Sequence, residues 1–333
     1  MRFVLRSVIG VAITLITIIV MISVWTRGDY TMARLVTDDL SLPSQTVNGV
    51  RLHLRVADGP EGAPTIIVLH GGPGGDFRSL QALDALSDQF RVVFYDQRGA
   101  GLSERVSSEM LTLRGHLEEL RAVIDLVSPG APPILIGHSW GAMLATAYLG
   151  QYPDEVRAAV LIEPGYLDED GHAAWQARSR TYLSGFDYVK EAVLTGFRAQ
   201  HVAGPDPAAQ HDFLIGHMVG VFVNHPENPY HCGAGYTAPN WRFGGLSSET
   251  WDQSPKDHLA RLTVEASRFS GPALLIAGAC NDWIGEALQQ EHLALFHNGD
   301  LRVIPEAGHD VIWDNPAASL DAIRRFLDTQ NVR

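Results

Sequence analysis

A serine in the middle of the chain has the sequence context of a catalytic nucleophile. The pentapeptide Gly137-His138-Ser139-Trp140-Gly141 follows the apolar run PPILI and precedes a run with helical character. A Gly-x-Ser-x-Gly sequence between a strand and a helix makes a very tight turn, which small residues must flank and which holds the serine hydroxyl at the helix N-terminus. We therefore predict that Ser139 is a nucleophile for acyl transfer.

A serine hydroxyl is a poor nucleophile at neutral pH, so it needs a base that is itself oriented by a carboxylate. Asp282 follows the apolar run ALLIA in the sequence ACNDW, and His309 follows the run LRVI in the sequence PEAGHD. Both come just after a predicted strand, as Ser139 does, in the order acid and then histidine. Asp310 is the neighbouring alternative, but adjacency in the chain points its side chain away from the ring of His309. We predict that His309 is the base and Asp282 the orienting acid.

Acyl transfer also needs two hydrogen-bond donors aimed at the developing oxyanion. The backbone N–H of Trp140, directly after the nucleophile, is one candidate. The other lies in the loop His70–Gly75 (HGGPGG), where glycines let the backbone approach a substrate carbonyl closely. We predict Gly72 as this donor, with Gly71 as the alternative. A phosphate cradle is the competing interpretation of the loop, but the Gly-Lys-Ser/Thr ending of a P-loop is missing.

Strand and helix patterns alternate on both sides of these residues. Short apolar runs predict strands, and apolar residues at helical spacing predict helices. Such alternation implies parallel strands with right-handed crossovers and helices on both faces, with the working residues at the carboxyl ends of the strands. The predicted strands are 50–56, 65–69, 91–95, 133–136, 158–162, 273–277 and 301–304, and the predicted helices are 77–90, 111–126, 142–152, 286–296 and 317–327.

The alternation stops between about residues 165 and 254, where aromatic residues, histidines and loop formers replace the apolar runs. We interpret this stretch as a mostly helical insertion into an α/β protein with a mostly parallel sheet. The predicted division is an N-terminal segment 1–27, a first core part 45–165, an inserted cap 166–255 and a second core part 266–333.

Several of these segments together resemble one enzyme family. HGGPGG, then DQRGAGLS from Asp96 to Ser103, then GHSWGA, and finally the late Asp and AGH are similar to the proline iminopeptidase branch of the α/β-hydrolase superfamily. The resemblance runs from about residue 45 to the C-terminus. It implies an α/β-hydrolase fold with a cap after the sixth core strand, and hydrolysis of an amide after an N-terminal residue, often proline. It also implies that Asp96 and Arg98 are structural.

The cap departs from this family at the position expected to bind the substrate amine. The resemblance implies cap glutamates there, one of them in a tryptophan-rich segment, whereas the matching stretch 238–245 contains Trp241 and Arg242 but no glutamate. Glu163 and Glu227 are the candidate replacements, and Arg242 would favour a substrate carboxylate instead. An aminopeptidase for N-terminal proline or small apolar residues is the leading prediction. An esterase or amidase for an uncharged acyl group is the alternative.

Composition limits the partners of the protein. The chain has 333 residues, with 25 Lys and Arg against 38 Asp and Glu, a formal net charge of −13. Such acidity argues against nucleic acid, which is bound through clustered basic residues. No cofactor is expected. His225, His231 and Cys232 form only a weak metal-ligand pattern, so no metal is predicted. The expected partner is a small peptide, amide or ester, and the oligomeric state is left open.

The N-terminus contains a stretch that could cross a membrane. Residues 8–25 carry no charge and follow Arg2 and Arg6. As a helix this stretch would be ~27 Å long, close to the ~30 Å of a bilayer core. We expect an uncleaved membrane anchor with the catalytic domain outside the cytoplasm. A cleaved signal peptide of an exported protein is the alternative, although no clean cleavage site follows.

The two cysteines, Cys232 and Cys280, are too few for a disulfide framework. Two free buried thiols are the default expectation. A single bridge, which would tie the cap to the predicted site, remains open in an oxidising compartment.

Overall fold

A computed structural model describes residues 2–232, 235 and 237–330, and it is built around one eight-stranded sheet. The order across the sheet is β1-β2-β4-β3-β5-β6-β7-β8, in which β1, β2 and β4 pair antiparallel and all other neighbours pair parallel. Residue 1 of the predicted N-terminal segment, residues 233, 234 and 236 of the predicted cap, and residues 331–333 of the second core part lie outside the described residues. The strands are β1 (Ser44–Val47), β2 (Val50–Ala57), β3 (Thr65–Leu69), β4 (Arg91–Tyr95), β5 (Ile134–His138), β6 (Ala158–Ile162), β7 (Ala273–Gly278) and β8 (Gly299–Ile304).

The central strands are buried on both faces because helices cover the sheet on both sides. Successive side chains of a strand point to opposite faces, so Ile67 and Leu69 of β3 enter one apolar cluster, and Ile66 and Val68 enter the other. The helices are α1 (Arg2–Trp25), α2 (Leu113–Val127), α3 (Trp140–Gln151), α4 (Glu169–Tyr182), α5 (Gly185–Ala199), α6 (Ala209–Val223), α7 (Gly245–Gln253), α8 (Lys256–Val264), α9 (Glu286–Leu293), α10 (Val311–Asp314) and α11 (Pro316–Thr329), with 3₁₀ stretches at Phe77–Asp88, Ser108–Met110, Pro153–Glu155 and Glu265–Arg268.

The sheet and its helices confirm the predicted α/β-hydrolase architecture. Helices α4 to α8 lie between β6 and β7, so the helical cap is inserted after the sixth strand, as expected. One predicted α-helix differs, because 77–88 is a 3₁₀ stretch whose buried leucines still face the core. The strand β1 was not predicted. It has only four residues and is mostly exposed, which leaves little apolar pattern to detect.

The N-terminal helix α1 stands apart from the core. Its segment Arg6–Trp25 has a mean hydropathy of 2.7 and is not buried, so it is long and apolar enough to cross a membrane. A signal sequence near the N-terminus meets the same criteria of length and composition.

The default expectation of two free thiols is wrong. Cys232 and Cys280 form a disulfide with a Cα–Cα distance of 5.3 Å. The bridge joins the cap to the loop after β7, two segments that the sequence separates by 48 positions. It also removes Cys232 from the weak metal-ligand pattern. Among the described residues, no group of three or more His, Cys, Asp or Glu is arranged to hold a metal ion.

Candidate active site

Ser139 lies at the turn between β5 and α3, as its sequence context predicts. Its backbone has φ of 52°, a conformation that few non-glycine residues adopt. The turn is held by the N–H of Ser139, which donates to the carbonyl of Ile162 at 2.8 Å. The flanking glycines are required, because a Cβ at Gly137 would meet the backbone of Gly141, and one at Gly141 would meet the backbone of Leu69. Ser139 lines the cavity below the cap.

His309 follows β8 and lines the same cavity as Ser139. Tyr230 of the cap holds it in two ways: the carbonyl of Tyr230 accepts the backbone N–H of His309 at 3.0 Å, and its ring stacks on the imidazole at 4.3 Å. Nδ1 of the imidazole lies 2.8 Å from Oε2 of Glu163. This histidine has the arrangement of a general base, because a carboxylate holds one ring nitrogen and the ring faces the cavity that Ser139 lines.

Asp282 does not occupy the predicted position beside His309. Its side chain is 78% exposed and forms an ion pair with Arg178 at 2.8 Å. Asn281, one residue earlier, points inward instead, and its amide binds Glu163 at 2.7 Å. In the structure the carboxylate beside His309 is therefore Glu163 at the end of β6, and the loop after β7 supplies Asn281, which binds this carboxylate. The prediction that Asp282 orients His309 does not fit this geometry, because Asp282 pairs with Arg178.

Glu163 is completely buried and accepts three N–H bonds. Oε1 accepts the backbone N–H of Gly278 at 2.7 Å, and Oε2 accepts from Asn281 and His309. Burial raises the pKa of Glu163 above its ordinary value, although the hydrogen bonds from Gly278 and Asn281 lower it. These two donors are bound to different carboxyl oxygens, an arrangement that favours the carboxylate.

The imidazole of His309 is neutral near pH 7. Burial lowers its pKa to about 4. With Glu163 accepting from Nδ1, the hydrogen-bond network assigns the proton to Nδ1 and leaves Nε2 as an acceptor. This is the protonation state that a base for a serine hydroxyl requires.

Trp140 begins α3, so its backbone N–H belongs to the first turn and has no acceptor within the helix. Its side chain is fixed as well, because the indole N–H donates to Gln97 at 2.9 Å. Gln97 is held in turn by His70. Its backbone N–H donates to Nε2 of His70, and its side-chain amide donates to the carbonyl of His70. The sequence between Asp96 and Ser103 thus immobilises the residue beside Ser139.

The glycine loop after β3 approaches Ser139 closely. A Cβ at Gly71 would lie 3.1 Å from Cβ of Ser139, and Gly72 has φ of +127°, where other residues are strained. Gly71, Gly72 and Trp140 all line the cavity with Ser139. Gly71, the alternative donor, is therefore close to Ser139, whereas the close neighbours of Gly72 are Gly74 and Gly75 of its own loop.

Comparisons with known proteins identify the family. Residues 64–316 match a family model described as alpha/beta hydrolase fold. The chain is 37% identical over 290 residues to a proline iminopeptidase of Heyndrickxia coagulans, covering 85% of this chain and 97% of that protein. The chain belongs to the proline iminopeptidase branch of the α/β hydrolases.

Other relatives of this hydrolase include a protein named for a different reaction and solved structures of the same fold. A probable 1-acylglycerol-3-phosphate O-acyltransferase of Oryza sativa is 26% identical, over 81% of this chain and 69% of that protein. The solved structure of a proline iminopeptidase from Mycobacterium smegmatis superposes with a TM-score of 0.56 at 20% identity, covering 87% of this chain and 99% of that one. At that identity the structural likeness shows the fold alone.

The cavity of the hydrolase has a volume of about 570 Å³ between the core and the cap. Aromatic and aliphatic side chains form most of its wall, including Trp175, Phe222 and Trp251. The charged residues that line it in the described part of the chain are all acidic, with no lysine or arginine among them. These acids are Asp76, Glu249, Asp252 and Asp310. Glu249 and Asp252 are functional candidates that the sequence analysis missed, although they flank a tryptophan in the sequence ETWD.

Arg242 and Trp241 do not line the cavity. Arg242 is buried and pairs with Asp206 and with Asp212, the latter at 2.7 Å. Such a doubly paired arginine is a structural link of the cap and has no free charge for a substrate. Trp241 packs edge-on against Phe77 at 5.0 Å. The structure therefore gives no support to the prediction that these two residues bind substrate.

Glu227 is exposed and does not line the cavity either. Glu163 does not contact the cavity as a ligand for an amine, because both of its oxygens are committed to the core and to His309. Asp96 and Arg98 are placed as structural residues, as the family resemblance implies, but they do not pair with each other. Asp96 and Arg98 are both buried, but each has its own partner, His53 at 2.8 Å and Glu119 at 2.9 Å.

Proposed function

We propose that the protein is a serine hydrolase in which Ser139 is the nucleophile, His309 the base and Glu163 the orienting acid. The observation that carries the proposal is the pair His309–Glu163, joined at 2.8 Å, whose imidazole faces the same cavity as Ser139. The chain order Ser, acid, His is the order of the α/β hydrolases.

The reaction proceeds through an acyl-enzyme. Nε2 of His309 takes the hydroxyl proton while Oγ of Ser139 attacks the substrate carbonyl, and the resulting imidazolium is stabilised by the Glu163 carboxylate. The imidazolium then gives the proton to the leaving group as the acyl–nitrogen or acyl–oxygen bond breaks. Water, deprotonated by His309, hydrolyses the ester of Ser139 and restores the enzyme.

The backbone N–H groups of Trp140 and Gly72 are the proposed donors to the oxyanion. Both come from rigid segments: Trp140 is held by Gln97, and Gly72 lies in the loop braced against the turn of Ser139. Preorganised donors of this kind act mainly on the transition state, because the charge on the carbonyl oxygen develops there.

Replacement of Ser139 by alanine tests the mechanism. We expect Ser139→Ala to lose labelling by a fluorophosphonate probe and to lower kcat by about 10⁶-fold on any substrate the wild type cleaves. Ser248→Ala is the matched control, because Ser248 lines the same cavity. Wild-type turnover by Ser139→Ala would refute the mechanism.

The substrate that we propose is an amide of N-terminal proline or of a small apolar residue. A cavity with acidic side chains and no basic ones suits a substrate ammonium group, and aromatic walls suit a pyrrolidine ring. Glu249 and Asp252 are the proposed amine ligands. Asp76 is less suited, because its carboxylate already accepts the backbone N–H groups of Arg78, Trp241 and Arg242.

An esterase or amidase for an uncharged acyl group is the second candidate. The mostly apolar wall favours it, and so does the ion pair of Glu249 with His211 at 3.1 Å, which competes with a substrate amine. Prolyl and alanyl arylamides, their N-acetylated forms and short aryl esters separate the two candidates. Ester turnover without any requirement for a free amine would refute the peptidase.

Charge removal in the cap sharpens this test. If the amine binds Glu249 and Asp252, then Glu249→Gln and Asp252→Asn should each raise KM for free-amine substrates by about 10-fold or more, since a charge-assisted hydrogen bond contributes ~1.5–3 kcal/mol. Glu227→Gln is the control, because Glu227 is exposed outside the cavity. Equal effects on N-acetylated substrates would contradict amine recognition.

We also propose that α1 anchors the protein in a membrane with the catalytic domain outside the cytoplasm. The apolar helix after Arg6 supports the span, and the Cys232–Cys280 bridge supports an oxidising compartment. Extraction of membranes at alkaline pH should leave the full-length chain in the pellet with residues 1–27 intact. A mature chain that lacks α1 would instead show a signal peptide.

A further inference from the structure

Helix α5 of the cap exposes a row of apolar side chains. Phe186, Val189 and Val193 are 81%, 58% and 46% exposed, and their spacing of three and four residues places them on one face of the helix. An exposed apolar patch of this kind on a soluble domain marks an interaction surface. We call these three residues the α5 face.

The α5 face lies beside the helix that we assign to the membrane. Helix α1 packs against α5, and His201, just after α5, donates from Nε2 to the carbonyl of Ser23 at 3.1 Å. Tyr30 forms a β-bridge with Val202, which fixes the chain after α1 to the same place. Trp25, 73% exposed at the end of the apolar span, is the residue type that favours the membrane–water interface.

We propose that the α5 face rests on the outer surface of the bilayer, an inference that depends on the proposed anchor. The link from His201 to Ser23 holds the C-terminal end of α5 where α1 leaves the hydrocarbon core. At ~1.5 Å per residue, α5 extends ~22 Å from that point, so the α5 face reaches the lipid when the helix lies along the interface. Phenylalanine and valine side chains that enter the interface lose contact with water, which stabilises the docked position.

Apolar burial, and not charge, drives this contact. The chain has a net charge of −13, and all charged residues among the first 27 are arginines, so the part outside the membrane is strongly acidic. An anionic surface would repel such a domain. The docked state should therefore form on zwitterionic lipid and should change little with salt.

Docking also defines which substrates reach the site. Leu183 and Tyr188, on either side of Phe186 in the chain, both line the catalytic cavity. These two residues place the N-terminal end of α5 at the rim of the cavity, with Tyr188 on the side of the helix away from the α5 face. With α5 docked on the bilayer, this rim lies near the lipid surface. The class of substrate that this arrangement favours is an amphiphilic amide or ester, whose apolar chain lies in the bilayer while its polar head enters the cavity.

A single-cysteine label tests the docking. Because Cys232 and Cys280 are joined in a disulfide, one introduced cysteine is the only free thiol. Full-length Phe186→Cys is labelled with an environment-sensitive fluorophore and placed in phosphatidylcholine vesicles that contain a lipid-borne quencher. Trp25→Cys reports on the anchor, and Leu126→Cys, an exposed position on α2, is the matched control.

The three positions separate the inference from the anchor on which it rests. We expect strong quenching at 186 and 25, weak quenching at 126, and no change at 1 M salt. Quenching at 25 with none at 186 would overturn the docking and leave the anchor standing. No quenching at 25 would refute the anchor itself. Cross-linking of label position 186 between two copies, in place of lipid quenching, would identify a second chain as the occupant and also overturn the proposal.

Turnover provides a second readout. The triple variant Phe186→Ser, Val189→Ser, Val193→Ser is compared with Leu126→Ser, Val264→Ser, which removes exposed apolar side chains elsewhere. We expect unchanged kcat/KM on a short water-soluble substrate and a several-fold loss for the triple variant on a long-chain substrate held in vesicles. Equal rates of the two variants on the vesicle substrate would overturn delivery from the membrane.

Discussion

Replacement of Glu163 by glutamine tests the assignment of the acid most directly. The change keeps the size of the side chain and removes its charge. In the structure Glu163 accepts from Gly278, Asn281 and His309, all of which are N–H donors. The amide nitrogen of glutamine must therefore face at least one of these donors, and His309 loses the group that selects its tautomer.

The loss should fall mainly on the chemical step. Removing the carboxylate that orients a catalytic histidine lowers kcat by about 10⁴-fold, equivalent to ~5.5 kcal/mol of transition-state stabilisation. The unmatched donor in the core should also lower the free energy of unfolding by ~1–3 kcal/mol. Asp282→Asn is the matched control. It breaks an exposed ion pair with Arg178, which is worth ~0–1 kcal/mol, and should leave kcat unchanged.

The assay combines kcat and KM on the best arylamide or ester with the rate of fluorophosphonate labelling. Urea unfolding of each variant separates loss of fold from loss of chemistry. The reasoning is refuted if Asp282→Asn lowers kcat by about 10⁴-fold, the scale of an orienting acid, while Glu163→Gln stays active. In that case the loop after β7 would have to rearrange in the working enzyme to bring Asp282 to His309.

Burial of His309 also predicts the pH range of activity. Burial lowers the pKa of His309, so kcat/KM should fall only below the ordinary pKa of an imidazole, ~6.5, and a midpoint at or above 6.5 would contradict this. The free energy of unfolding should fall as the pH drops below ~6.5, because the unfolded chain then binds a proton that the folded His309 does not. Reduction of Cys232–Cys280 should lower the free energy of unfolding by ~2–4 kcal/mol, measured as the urea midpoint with and without reductant. Arg242→Met removes the buried ion pair with Asp212 in the cap. It should lower the free energy of unfolding by ~3–5 kcal/mol with little change in KM, and a selective rise in KM would instead support a role in substrate binding.

The core of the fold could be predicted from the sequence because local patterns determine it. The strands β3, β4 and β6 have the predicted bounds, since each is a short apolar run that the sheet buries on both faces. Ser139 and His309 could be found for a related reason: a tight glycine turn and a residue just after a strand are local features of the chain. Such local features predict where a residue lies in the fold without knowledge of distant contacts.

The acid is different, because its role depends on which strand ends lie side by side. Glu163 and Asp282 both follow apolar strands, so spacing alone does not distinguish them. The sheet does: β6 lies between β5, which carries Ser139, and β7, whose Gly278 donates to Glu163. The loop after β7 then turns Asn281 inward and Asp282 outward. The inner amide therefore binds Glu163, and the outer carboxylate pairs with Arg178 of the cap instead of His309. The disulfide at Cys280 fixes the same loop from the other side, so one short segment braces the acid and attaches the cap.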